Sequence, residues 1–227
     1  LTSAMLAAVA TAVAELLGGA IALRILFRIP LRIGTLMIVA IVVLFLFGQS
    51  YRAIERWIFG FVALIGVAFL CELVMLDVDW RASAISWVLP RIPTGSMPIV
   101  MSVLGAVVMP HNLFLHSEII QSRQWQLQDA AAIRHKLKYE MVDTATSMGI
   151  GWAINSAMIL VAAAVFCAHG YAVTELEQAG QLLRPLLGRF AALAFAIALL
   201  CAGISSSVTA GMASGTIFAG MFGEPYN

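Results

Sequence analysis

AVVMPHNLFLHSEIIQ, residues Ala106–Gln121, sets a proline, two histidines and an asparagine in the run Ile92–Ser117, which contains no Asp, Glu, Lys or Arg, and continues into Glu118. Pro110 has no N–H, and its ring collides with the carbonyl four residues earlier, that of Ala106, so a helix through this run breaks and frees that oxygen. Gly105 adds backbone latitude at the same point. In a bilayer, non-helical backbone is tolerated only where it is buried in protein or lines a cavity. The stretch therefore reads as a broken transmembrane helix that presents the Ala106 carbonyl about one turn before the thioether of Met109. A plain proline kink with a packing methionine is the competing reading.

The rest of the chain is of one kind with this stretch. Its 227 residues are 62% hydrophobic and 11% charged, and the mean hydropathy of +0.96 lies outside the range of soluble domains. Runs free of Asp, Glu, Lys and Arg cover Ile33–Tyr51, Ile92–Ser117, Thr144–Thr174 and Phe190–Gly223. Each exceeds or approaches the roughly 20 residues that cross a bilayer as a helix. Leu1–Leu23, interrupted by Glu15, and Trp57–Met75, interrupted by Glu72, complete six expected spans. Segments of this length exclude the ten-residue alternation of a membrane β-barrel, so the fold class is an all-α integral membrane bundle.

No repeat, low-complexity tract or signal peptide is apparent. The chain starts at Leu1 inside an apolar run and stops at Asn227 just after another, as an internal piece of a longer polytopic chain would. The expected connectors are the basic turn RILFRIPLRIG, the polar segment from Leu76 to Ser96, and the linker SRQWQLQDAAAIRHKLKYE. Trp80 and Trp87 suit a membrane interface. Alternating spans put Arg52, Arg56, Arg123, Arg134, Lys136 and Lys138 on one side and Arg24, Arg28, Arg32, Arg81, Arg91, Arg184 and Arg189 on the other. The counts nearly balance, but RHKLK leans the first side toward the cytoplasm.

Cys71, Cys167 and Cys201 have no CxxC spacing and read as small packing residues, not as a zinc module or a disulfide framework. A net charge of +1 without a basic stripe sets nucleic acid aside. The chemistry lies in the opening stretch. Carbonyl oxygen alone suits Mg²⁺ or Ca²⁺, whereas an added thioether favours softer transition metals. His111 and His116 are ionisable groups inside a span, fit for metal ligation or for a proton route. A haem or redox protein using His111, His116, His135 or His169 is a different class that stays open. HNLFLH lacks the spacing of a HExxH metalloprotease. Glu118 reads as a solvated terminus, and Asn155 and the small residues of SSSVTAGMASG as interhelical packing.

AVVMPHNLFLHS followed by QSR closely resembles the sixth-helix signature of the NRAMP family of proton-coupled divalent metal transporters. TAVAELLGGAIAL resembles the family's third helix, with Glu15 at its glutamate and Ala12 where an aspartate is usual. FRIPLRIG resembles the next turn, and AGISSSVTAGMASGTIF the eighth helix, with Ile204 in place of a glutamine. Asp143, like Glu118 and Asn155, falls on the sixth and seventh helices of this frame.

The resemblance covers the whole chain, as helices three to eight of a leucine-transporter-like inverted-repeat bundle. It implies one transmembrane unit: 1–75 as the last three helices of the first repeat, 76–96 as an extracellular linker, and 97–222 as the first three helices of the second. It implies metal ligation by the Ala106 carbonyl and Met109, with proton movement through His111, His116 and Glu15. The family's other metal ligands, an Asp-Pro-Gly-Asn run, are absent from this sequence. The implied activity is import of Mn²⁺ or Fe²⁺ with protons across a bacterial plasma membrane, by a transporter and not an enzyme. No cofactor or obligate protein partner is expected. A magnesium-transporting relative is the alternative, against which Met109 speaks.

Overall fold

The computed structural model describes residues 2–48, 51–89, 91–122, 130–167, 169–171 and 173–223, and the regular structure among them is helical. The helices are α1 (Thr2–Phe27), α2 (Leu31–Gly48), α3 (Tyr51–Val74), α4 (Trp80–Val88), α5 (Met97–Val107), α6 (Pro110–Ser122), α7 (Ala130–Ala162), extended by a π-turn over Ala163–Cys167, and α8 (Leu176–Phe222). Six segments among the described residues are long and apolar enough to cross a membrane, with α5 and α6 together forming one of them, Met97–Gln121.

Small residues let the two central helices meet. α1 buries Ala8, Gly18, Gly19, Ala20 and Ala22. Gly18 and Gly19 meet Leu199 and Gly203 of α8, whereas Ala20 meets Gly34 of α2. A Cβ placed on Gly203 would lie 2.6 Å from the Gly19 nitrogen and 3.1 Å from the Glu15 carbonyl oxygen. Only a glycine fits there, and dispersion between closely packed backbones replaces the hydrophobic drive that lipid cannot supply. Half of the α8 span is buried, against 12% of the Met97–Gln121 span. α8 is thus the centre of the bundle and also packs on α2, α3 and α6. Leu23, Ile38, Val42, Ile54 and Val208 join α1, α2, α3 and α8 in one core cluster. An ion pair, Arg24 Nη1 to Glu177 Oε2 at 3.1 Å, ties the end of α1 to the start of α8.

Element ends differ from the sequence expectation where polar sequence still favours helix. Arg134–Lys138, expected in a linker, lies in the first turns of the 33-residue α7. AAAIRHKLKYEM holds strong helix formers and neither Gly nor Pro, so the helix continues into water without cost. The segment 76–96 contains α4, started by Asp79, whose Oδ1 accepts from the Ala82 N–H at 2.9 Å. α8 begins at Leu176, ahead of the uncharged run that starts at Phe190, and kinks at Gly188, where φ is 89° and ψ 177°. α3 starts at Tyr51, so YRAIER, ahead of the expected span Trp57–Met75, is also helical.

Candidate functional site in the broken span

The break lies where Pro110 dictates. α5 ends at Val107, Val108 leaves helical geometry at φ −95° and ψ 82°, and its N–H closes α5 on the Leu104 carbonyl at 2.8 Å. α6 then starts at Pro110, the one helical position where a missing N–H costs nothing. The Asn112 N–H caps back to the Met109 carbonyl at 3.1 Å. Ala106 faces outward and Met109 is half-buried. The Asn112 amide nitrogen lies 3.8 Å from the Met109 sulfur, a weak contact that orients the thioether and leaves it a second lone pair.

Around the break, polar atoms are buried without partners. His111 is 1% exposed and its Nδ1 is unpartnered, as are the Asn112 side-chain oxygen, one carboxylate oxygen of Glu15 and the Ser207 hydroxyl. α6 packs on both α8 and α1, so the helices carrying His111, Ser207 and Glu15 meet. Ser207 is one turn beyond Gly203 on the face of α8 that touches Glu15 and Gly19. Its hydroxyl forgoes the usual bond to its own helix, which Thr209 makes to the Ser205 carbonyl at 2.8 Å. Buried polar groups are normally satisfied, so orphans gathered on touching helices mark a place built for a ligand or water.

Not every expected residue joins this group. His116 lies two turns down α6 on an exposed face, where its Nε2 is 3.8 Å from Glu140 Oε1 of α7. Asn155 is exposed and Glu118 is half-buried, and no cluster of three His, Cys, Asp or Glu occurs among the described residues. Among the described residues, the break itself thus offers a backbone oxygen and a thioether as candidate donors. Sequence reading missed Ser207, which hides in a serine run, and passed over Glu72 as a mere interruption of its span, although it is completely buried.

A bundle of membrane-spanning helices with one span broken at a glycine-proline hinge defines a multi-pass membrane protein of the kind that binds small ligands at helix breaks. The chain belongs to the natural resistance-associated macrophage protein-like (Nramp) family, whose profile matches residues 1–227. It is 39% identical over 224 residues to the divalent metal cation transporter MntH of Caldanaerobacter subterraneus, covering 97% of this chain and 53% of that protein. It is 40% identical to MntH of Granulibacter bethesdensis, covering 95% of this chain and 49% of the relative. The fold matches the crystal structure of a histidine-to-alanine mutant of the Eremococcus coleocola manganese transporter, with a TM-score of 0.77 at 24% identity, over 99% of this chain and 50% of that one. At that identity the likeness concerns the fold alone. The chain spans about half the length of the curated relatives it matches.

Proposed function

We propose that the chain forms part of a secondary transporter that imports divalent transition-metal ions, Mn²⁺ or Fe²⁺, together with protons by alternating access. The observation that carries this reading is the break itself, which presents the Ala106 carbonyl and the Met109 sulfur on either side of a non-helical residue, Val108. Hard oxygen with soft sulfur suits a transition ion better than Mg²⁺. The MntH relatives, named as divalent metal cation transporters, support a divalent metal ion as the cargo.

In this mechanism the ion enters from outside and exchanges part of its water for the carbonyl and the thioether. His111, on the first turn of α6, releases a proton as the cation arrives, because the two positive charges repel. Glu15, on a helix packed against α6, passes the proton on, with His116 further down α6 toward the inner side. Movement of α5 against α6 about the break then opens the ion to the other side. The membrane potential contributes about 2.3 kcal/mol per elementary charge per 100 mV, and twice that for a divalent ion. No resident cofactor is required, and the partners are the ion, the proton and the bilayer.

The test is uptake by the full-length protein in proteoliposomes, with Mn²⁺ and Mg²⁺ offered separately and together, for wild type and Met109→Ala. Wild type is expected to take up Mn²⁺ against a large excess of Mg²⁺, and Met109→Ala to lose that preference. Equal transport of both ions, unchanged in the variant, would make Met109 a packing residue and favour the magnesium-transporting alternative.

A further inference from the structure

We propose that Glu72 is a second proton-carrying site, set where α3, α7 and α8 meet and apart from the broken span. The proposal deepens the transporter reading and rests on it. Glu72 is 1% exposed, and neither of its carboxylate oxygens has a hydrogen-bond partner. Its neighbours on α3 explain why. Phe69, one turn before it, packs with Ala157 of α7 and Ala198 of α8. Leu73, next to it, packs with Val161 and Val165 of the α7 segment and with Leu183 of α8. The carboxyl group is thus enclosed by apolar side chains of this chain.

Among the described residues no opposite charge is placed to hold an anion there. On α8, Arg184 and Arg189 are exposed, and Cys201 lies one turn beyond Ala198. At the end of α7, Cys167 is exposed and His169 directs Nδ1 to the Val165 carbonyl at 2.8 Å. On the α3 side, Cys71 and Asp77 are exposed. None of these reaches a Glu72 oxygen. A bare carboxylate in such a setting is prohibitively expensive, so the closed packing holds the side chain as a carboxylic acid.

The site is separate from the break. The clusters that enclose it are built from α3, α7, the π-turn and α8, and neither contains a residue of α5 or α6. A means of opening it is built in beside it. The π-turn Ala163–Cys167 places Val165 in the buried cluster against which Leu73, Leu76 and Phe166 pack. Such a turn holds one residue more than an α-turn and returns to α by a one-residue shift. That shift withdraws the cover and admits water between α3 and α7. The carboxylic O–H bond then breaks, the proton passes to water, and the carboxylate takes a proton from water before the packing closes again.

Infrared difference spectroscopy and proton-flux measurement on the full-length protein in proteoliposomes test this, with Glu72→Gln and, in case the buried amide impairs folding, Glu72→Leu. Wild type at neutral pH is expected to show a protonated-carboxyl band that both variants lack. The variants are expected to keep Mn²⁺ uptake and to lose part of the proton flux that accompanies it. A wild-type band unchanged in the variants would overturn the proposal, because Glu72 would then be ionised. A band that disappears while the proton flux per Mn²⁺ stays the same would overturn it too, leaving a fixed structural acid. A wild type that moves no divalent ion would remove the transporter reading, while the band would still decide whether Glu72 holds a proton.

Discussion

Single residues decide how close two helices come and where one of them stops. Gly203 meets the Gly19 backbone at a distance no Cβ can occupy. Gly203→Ala is expected to destabilise the folded protein by about 1–3 kcal/mol through overpacking, read as a lower thermal unfolding midpoint in detergent. Gly220→Ala, which meets open space inside α8, is expected to keep the midpoint or raise it slightly, because alanine is the better helix former. Pro110 acts in the opposite sense, by taking a donor away. Pro110→Ala restores an N–H to the Ala106 carbonyl and permits a continuous helix from α5 into α6. Mn²⁺ uptake per molecule of full-length protein is expected to fall to background, and uptake at the wild-type rate would show that the break is not the ion site. The break was legible from the sequence because proline's missing donor is a local fact. The burial of Glu72 was not, because a carboxylate in an apolar run looks the same whether it faces lipid, water or two other helices.

At the level of elements, helix ends follow local chemistry more closely than hydropathy does. α1 stops at the turn before Pro30, and Arg28 there adopts φ 59°, the left-handed conformation that usually falls to glycine. Its N–H still closes the helix on the Arg24 carbonyl at 2.9 Å. Arg28→Gly removes the Cβ strain but loosens the unfolded chain, and the balance is expected to lie within about 1 kcal/mol of neutral. A thermal unfolding midpoint that drops well beyond that would assign the arginine side chain a structural contact of its own. Hydropathy located all six spans but cut α7 short, because it scores lipid affinity and not helix propensity. The charged turns from Ala130 to Asp143 leave the apolar run without leaving the helix. The π-turn that ends this helix carries no sequence mark, since AAVFC would serve equally well in an α-turn.

For the whole molecule, the order of spans sets which end faces which compartment. In the orientation we propose, with α1 running outward, Arg134–Lys138 is on the cytoplasmic side, together with the exposed face of α6 that carries His116. In the full-length protein freed of its native cysteines, Lys138→Cys is expected to react with a membrane-impermeant maleimide only after the cells are opened. Labelling of intact cells would invert the bundle and the direction assigned to transport. The sequence by itself determined the membrane class, the six spans and the break at Pro110, because each follows from local composition or from one residue's bonding capacity. The tertiary structure alone decided that α8 is the central helix, that α1 meets it backbone to backbone at Gly19 and Gly203, that His111 and Glu15 lie on touching helices, and that Glu72 is sealed among apolar side chains. In lipid every face of an apolar helix is acceptable, so hydrophobic periodicity no longer says which face turns inward, and only packing between distant segments can choose it.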